Sequence, residues 1–249
     1  MNGIPIEYRS ASRTRQFAQP RFWWNYGILP LIAAGLLVWL FRSTDLDRQW
    51  AWAWAFDGRG QRFVGSQSFW ANEVLHVTGR NAAIGVALVC AICCVACHRS
   101  AQLAHRAAWT MSLCGLVFAM GIVLGARALT NVDCPWDLQG FGGSRPYVGV
   151  FEHRSRSLPH AQCFPGAHSA SGFALFALFF GFRDLYPRLA KAAFWLALVV
   201  GTAFSLAQQA RGAHFLSHDI ASGFLCWFSC LAVSALARHR RTNTRAIPA

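Results

Sequence analysis

The chain has 249 residues, of which 55% are hydrophobic and only 13% are charged, with eleven tryptophans and a formal net charge of +13. This composition is typical of a polytopic membrane protein and excludes an ordinary soluble enzyme. The positive charge lies mainly at the termini and between apolar runs, so it indicates topology and not nucleic-acid binding.

Six apolar runs predict an all-α fold, a six-span transmembrane helical bundle. The bundle forms one domain, residues 26–237, between basic tails at residues 1–25 and 238–249. Several runs are shorter than the roughly 20 residues of a typical span, but flanking Trp, Tyr and Arg side chains can extend them. The predicted spans are Tyr26–Phe41, Asn81–Cys97, Ala108–Ala126, Ala170–Phe182, Ala192–Ala207 and Ile220–Ala237.

Basic residues are concentrated in the two tails and in the second and fourth connections, whereas the other connections are nearly balanced in charge. The positive-inside rule therefore places both termini in the cytoplasm. The sequence predicts a multi-pass protein of the bacterial inner membrane, without a cleavable signal peptide, whose active site faces the periplasm.

Two connections on the outer side are unusual. Phe41–Trp70 alternates tryptophan with alanine and is broken by charges, which favours a segment lying at the membrane interface. Gly125–Ser169 is the longest polar segment, and its spaced Gly, Pro and aromatic residues predict an ordered, functional loop. Cys134 and Cys163 both lie in this loop, where a disulfide could form in an oxidising compartment.

The stretch Gln208–Asp219 carries the strongest chemical signal. Arg211, His214 and His218 follow at spacings of three and four residues, so on a continuing helix they would share one face, and Asp219 could orient one ring. Arginines with histidines suit a phosphate ester, because guanidinium groups bind phosphoryl oxygens while imidazoles attack phosphorus or transfer protons. The predicted topology brings further basic residues to the same outer face: Arg127, Arg145 and His168.

These motifs resemble those of the type 2 phosphatidic acid phosphatase superfamily: Lys-x6-Arg-Pro, then Pro-Ser-Gly-His, then Ser-Arg-x5-His-x3-Asp. The middle motif reads Pro-Gly-Ala-His-Ser here. The resemblance implies that His168 is the general acid and that Gly166, Ala167 and Ser169 lie at the phosphate. The first motif can be aligned on either of two residues, so either or both would bind phosphate: Arg127 and Arg145.

In the third motif, the segment Gly212–Phe215 looks like the family's segment around its nucleophile, which implies that His214 attacks phosphorus. Gln208 stands where the family has arginine, and Arg211 is expected to replace it. Either His218 or Asp219 could orient His214. A competing alignment makes His218 the nucleophile and Ser222 the orienting residue, but serine is a weaker acceptor than a carboxylate.

The resemblance implies a membrane phosphatase that acts through a phosphohistidine and needs no metal or other cofactor. Expected substrates are membrane lipid phosphates or diphosphates: a polyprenyl diphosphate, phosphatidate, phosphatidylglycerol phosphate or a lipid A phosphate. A lipid-to-lipid phosphotransferase would use the same site. The partners predicted are this substrate and the bilayer, with no nucleic acid, and the sequence predicts no oligomeric state.

Two alternatives belong to other classes. A membrane metalloprotein would use His214 and His218 as ligands together with His168 or Cys163. A transporter or structural bundle would use the arginines to bind an anion. The remaining polar residues have simpler interpretations: His153, Arg154, Arg156 and His160 facing solvent or headgroups, Asp133, Trp136 and Asp137 ordering the loop, and His76 and Arg80 at the interface.

Overall fold

The computed structural model describes residues 20–99, 103–150, 152–155 and 157–245, and side chains up to residue 239. Nearly all of its elements are helices. In chain order the main ones are α1 Pro20–Ser43, α2 Leu46–Trp50, β1 Phe56–Asp57, β2 Arg62–Phe63, α3 Trp70–Arg99, α4 Leu103–Leu129, α5 Ala167–Phe182, α6 Pro187–Ala210 and α7 Leu216–Arg245. Two short helical turns, Ala51–Ala55 and Pro135–Asp137, lie between them. The basic residues predicted in the first 19 positions, and Arg156, lie outside the described residues.

Five helices, α1, α3, α4, α6 and α7, are long and apolar enough to cross a membrane. This confirms a mostly helical, multi-pass membrane protein. The fourth predicted span lies in α5, which at about 1.5 Å per residue is shorter than a hydrocarbon layer of roughly 30 Å. Phe176 and Phe180 of α5 are buried inside the bundle. The count of six spans therefore remains a prediction.

The main core lies where α5 is enclosed by α4, α6 and α7. Phe180, Trp227 and Val123 are buried there, and small residues let the helices approach closely. A Cβ added to Gly172 would lie 2.6 Å from the backbone nitrogen of Gly201, so α5 and α6 pack backbone to backbone at this point. The enclosed helix α5 thus has a fixed position, which in turn fixes the motif at its beginning.

A second, smaller core joins the Trp-rich segment to the outer loop. It consists of Ala51, Ala55, Phe56, Phe63, Leu138, Phe141 and Phe215. The two strands pair antiparallel as a short hairpin, with Phe56 opposite Phe63. The segment predicted to lie at the membrane interface also packs against the outer loop: Trp52 is 47% exposed, whereas the alternate alanines and phenylalanines bury apolar surface there.

The long outer loop is ordered by several connections across it. Cys134 and Cys163 are bonded to each other with their Cα atoms 5.2 Å apart, and the nearby backbone pairs at Val132 and Gln162. The backbone N–H of Trp136 donates to the carbonyl of Gly212, 3.0 Å away. These contacts hold the loop against the connection between α6 and α7.

Candidate active site

The connection between α6 and α7 is a sharp turn. α6 ends at Ala210, and Arg211–Phe215 is not helical. Gly212 has a φ of +78°, and a Cβ there would lie 2.3 Å from Cδ2 of Phe63. Both the left-handed backbone and the close aromatic ring require glycine. The helix expected to continue through this stretch is therefore interrupted.

The interruption separates the residues that were expected to share one helix face. Arg211 and His214 lie in the turn, whereas His218 and Asp219 lie in the first turns of α7. These residues would share one face only on a continuing helix, and that condition is not met. The turn instead folds His214 back over the beginning of α7.

His214 and Asp219 form a buried pair. Nδ1 of His214 lies 2.7 Å from Oδ1 of Asp219, and the two residues are 5% and 2% exposed. A carboxylate can only accept, so Nδ1 carries the proton and the neutral ring has its lone pair on Nε2. Among the described residues, no hydrogen-bond partner meets Nε2. The pair therefore presents an oriented nitrogen lone pair.

The second oxygen of Asp219 is held by Gln209. Nε2 of Gln209 donates to Oδ2 at 2.7 Å, and Nε1 of Trp50 donates to Oε1 of Gln209 at 2.8 Å. Because the indole N–H can only donate, it fixes which end of the amide faces Asp219. Both carboxylate oxygens of Asp219 are thus engaged, and its orientation toward His214 is fixed.

Gly166 lies directly against the His214–Asp219 pair. A Cβ at this position would lie 2.7 Å from Nδ1 of His214 and 2.8 Å from Oδ1 of Asp219. Its backbone N–H donates to the carbonyl of His218 at 3.1 Å, and the hydroxyls of Ser169 and Ser222 both donate to its carbonyl. Glycine is therefore the residue that fits here, and the first turn of α5 is anchored to α7 through it.

His168 lies in the first turn of α5, facing α3. Its Nε2 is 2.8 Å from the carbonyl of Leu75, which accepts, and no described residue makes a hydrogen bond to Nδ1. The ring lies between those of Phe204 and His76, each with centroids 4.7 Å away. His168 is 9% exposed. Its ring is therefore held by one hydrogen bond and two ring contacts.

Gln208 connects Arg211 to His76. An N–H of Arg211 donates to Oε1 of Gln208 at 2.9 Å, and Nε2 of Gln208 lies 2.8 Å from Nδ1 of His76. Burial lowers the pKa of Arg211 from its usual value, but a guanidinium remains charged at physiological pH. His76 and His168 are close enough to both Arg211 and His214 for their charges to interact, so a cation and two histidines lie near the His214–Asp219 pair.

Of the two arginines on which the first motif can be aligned, Arg145 is occupied by carboxylates. Its NH1 group lies 2.6 Å from Asp133 and 3.5 Å from Asp137. Arg127, at the end of α4, makes no side-chain hydrogen bond or salt bridge within the described ranges and lies close enough to His218 for their charges to interact. The structure therefore leaves Arg127 available for an anion.

Asp133, Arg145 and Arg154 form an arginine clasp within the outer loop. Nε and NH2 of Arg154 donate to the two oxygens of Asp133 at 2.6 and 2.8 Å. The interpretation of Arg154 as facing solvent or headgroups is wrong, since it is 6% exposed. Its charge is satisfied by a buried carboxylate, which explains why it can leave the surface. His153 and His160 are exposed.

His218 makes no hydrogen bond to His214 in the described structure, as a residue that orients the His214 ring would. Its ring is 1% exposed, packs edge-on against Phe164 and Phe215, and has a centroid 6.3 Å from that of His214. Its Nδ1 is buried without a hydrogen-bond partner among the described residues. Ser222 donates to backbone carbonyls and not to this ring. The geometry thus pairs His214 with Asp219.

The beginning of α7 is capped from a distant part of the chain. The carboxylate of Asp47 accepts from the backbone N–H of Ser217 at 2.8 Å and from its hydroxyl at 2.5 Å. Burial raises the pKa of Asp47 to about 6, against the lowering effect of these hydrogen bonds. At neutral pH the group is ionised, and its charge lies at the positive end of the helix dipole.

Comparison with known proteins now decides the family. A family model described as the PAP2 superfamily matches residues 108–242, more than half of the chain. The chain belongs to the PAP2 superfamily. This confirms the resemblance to type 2 phosphatidic acid phosphatases, a superfamily whose members are generally phosphatases. No curated protein and no solved structure matches the chain.

The PAP2 match covers α4 to α7 but leaves out three residues that contact the site from the preceding part of the chain. Asp47 caps α7, Trp50 fixes Gln209, and His76 contacts Gln208 and His168. Sequence reasoning missed these positions and Gln209, and treated His76 as interfacial. No spacing pattern could have found them, because their partners lie far along the chain.

No group of three or more His, Cys, Asp and Glu side chains in the described ranges is placed to hold a metal ion. His214 and His218, the two ligands of the metalloprotein alternative, differ in their surroundings. Nδ1 of His214 already bonds Asp219, and the ring of His218 is enclosed by aromatic side chains.

Proposed function

We propose that the protein is a membrane phosphatase that hydrolyses a lipid phosphate or diphosphate at its outer face through a phosphohistidine. The observation that carries this proposal is the buried His214–Asp219 pair, whose Nε2 has no partner among the described residues. His214 shares the turn between α6 and α7 with Arg211, and His76, His168 and His218 are close enough to His214 for their charges to interact. Membership of the PAP2 superfamily supports a phosphatase-type reaction.

In the proposed reaction, Nε2 of His214 attacks phosphorus and forms a P–N bond. The P–O bond to the leaving group breaks and its electron pair stays on the oxygen. For this step the ring of His168 is protonated on both nitrogens: Nε2–H donates to the carbonyl of Leu75, and the proton on Nδ1 passes to the leaving oxygen. Water then attacks phosphorus, the P–N bond breaks, and His168 takes the proton from the water. Asp219 stabilises the positive charge that His214 carries in the first step.

We place the phosphate between Arg211 and Arg127, because both are half-buried cations and Arg145 is bound to carboxylates. Guanidinium groups bind phosphoryl oxygens and stabilise their charge in the transition state. Gly166 supports this site by letting His214 and Asp219 approach the first turn of α5. Cytoplasmic termini in a bacterial inner membrane, predicted from the basic tails, would place the site in the periplasm.

The test is phosphate release by the purified protein from a panel of lipid phosphates and diphosphates. His168→Ala and His214→Ala should each abolish release, while EDTA should leave it unchanged. Labelled donor lipid separates the two products: free phosphate supports a phosphatase, and a phosphorylated acceptor lipid indicates a phosphotransferase. Loss of activity with EDTA and recovery with a metal would contradict the proposed mechanism.

A further inference from the structure

His76 is placed beside the reacting groups by its own packing. It lies in the π-helical first part of α3, Trp70–Thr78, a distortion that is frequent at functional sites. Three residues later, a Cβ at Gly79 would lie 2.6 Å from Cε1 of Phe204, so α3 and α6 touch closely. His76 is half-buried, with its ring 4.7 Å from that of His168.

The hydrogen bonds of Gln208 determine the tautomer of His76. Arg211 can only donate, so the amide atom facing it is the oxygen, and the amide nitrogen must face His76. Nδ1 of His76 is then the acceptor. The neutral ring consequently carries its proton on Nε2, and within the described part of the chain Nε2 has no hydrogen-bond partner.

The hydrogen-bonded group of Arg211, Gln208 and His76 is centred on the position at which the superfamily motif has a single arginine. The chain has Gln208 at that position, and Gln208 has no charge of its own. It does, however, join the cation of Arg211 to an N–H group from α3, outside the matched residues 108–242. His76 is also close enough to Arg211 and His214 for their charges to interact.

We propose that His76 is a further phosphate-binding residue of this site, whose Nε2–H donates a hydrogen bond to a phosphoryl oxygen of the substrate. Gln208 holds the ring in the donating tautomer, and Arg211 supplies the charge. The proposal rests on the proposed phosphatase function. It assigns to α3 a part in substrate binding that the three motifs do not contain.

Two substitutions separate this role from a structural one. In His76→Asn, the amide can still accept from Gln208 at the place of Nδ1, but nothing reaches the phosphate. In His76→Gln, the amide nitrogen can reach the place of Nε2, while the bond to Gln208 is lost. A phosphate-binding role predicts that His76→Gln keeps affinity, and a structural role predicts that His76→Asn keeps it.

The experiment measures orthovanadate binding to the purified full chain by calorimetry, with the thermal unfolding midpoint as a check of folding. A hydrogen bond to a charged ligand predicts roughly tenfold weaker binding for His76→Asn and no more than about threefold weaker binding for His76→Gln. Thr78→Ala, an exposed change on the same segment, should bind as the wild type does. Unchanged affinity in His76→Asn, or equal losses in both variants, would overturn the proposal.

Orthovanadate binding and phosphate release by the wild type distinguish a failure of this proposal from a failure of the proposed phosphatase function. If the wild type neither binds orthovanadate nor releases phosphate, the proposed function itself fails. If the wild type does both and His214→Ala releases no phosphate, the function stands. In that case the two His76 variants decide the role of His76 alone.

Discussion

Two buried carboxylates at the outer end of the bundle are used in opposite ways. Asp219, which is 2% exposed, accepts from the ring of His214 and from the amide of Gln209. Asp133, which is 4% exposed, binds the cations Arg145 and Arg154. The pairing of Asp219 leaves Nε2 of His214 available to react. In the pairing of Asp133, the charges of the carboxylate and the arginines neutralise each other.

On one face of the protein, the carboxylate of Asp219 orients a reactive histidine and the carboxylate of Asp133 holds the outer loop together. Burial opposes ionisation of Asp133, but the hydrogen bonds from Arg154 and Arg145 outweigh it and lower the pKa of this carboxyl below its usual value. The arginine clasp therefore stabilises the fold above the ordinary pKa of an aspartate and loses that contribution as the pH falls through the lowered value. Among the described residues, no lysine or arginine forms a salt bridge with Asp219, whose partners are His214 and Gln209.

The largest expected effect comes from Asp219→Asn. An amide at this position cannot accept from His214 with the strength of a carboxylate and cannot stabilise the charged ring. We expect kcat to fall by roughly a hundred- to ten-thousandfold, by analogy with the same change in serine protease triads, while the thermal unfolding midpoint changes little. Steady-state kinetics on a lipid phosphate would show this, and a kcat within threefold of wild type would contradict it.

Gly166→Ser restores the superfamily's own residue at this position and should nonetheless inactivate the protein. A Cβ there would lie 2.7 Å from His214 and 2.8 Å from Asp219, so one of the two must move. We expect a loss in kcat of roughly a hundredfold, because small displacements of reacting groups are costly. Ala167→Gly, which also restores the superfamily's residue, serves as the matched control and should stay within a few-fold of wild type.

Asp133→Asn sharpens the contrast, because it should affect stability more than chemistry. Arg154 would remain buried without its carboxylate, a change that costs roughly 3–5 kcal/mol for a buried pair. Thermal unfolding of the purified protein should detect this as a lower midpoint. Arg145→Gln is the control: its side chain is 25% exposed, so its loss should cost much less. If Asp133→Asn lowered kcat strongly and left the unfolding midpoint unchanged, the distinction between the two carboxylates would be lost.

Gln209→Leu should have a smaller effect on kcat than the substitutions of Asp219 and Gly166. It removes the amide that fixes one oxygen of Asp219 and leaves the other oxygen on His214. We expect kcat to fall roughly tenfold, about the value of one hydrogen bond to a charged group. Trp50→Phe, which removes only the indole N–H that orients Gln209, should fall between this variant and wild type when both are assayed side by side.

The sequence predicted the helical membrane class and the PAP2 resemblance because long apolar runs and motif letters are local properties. It could not decide between His218 and Asp219 as the residue beside His214. That choice depends on where α6 stops, which is set by the contact of Gly212 with the ring of Phe63 from a distant hairpin. A periodic pattern cannot reveal such a contact.

The other residues around the site were beyond sequence reasoning for a related reason. Amides and indoles carry no motif of their own, and the partners of Gln209 and Gln208 are Trp50 and His76, 159 and 132 residues away. Burial of Arg154 was not predicted because buried arginines are rare. It is possible here because Asp133 pairs with the guanidinium and Asn131 accepts a further hydrogen bond from it. Tertiary contacts decided both cases.

The most direct test of the central claim is to trap the intermediate. The purified protein is mixed with lipid carrying labelled phosphate, quenched within one turnover under alkaline conditions, digested and mapped by mass spectrometry. The account predicts label on His214 in the wild type, and none in His214→Ala. Label on His218, or labelling that persists unchanged in His214→Ala, would contradict it.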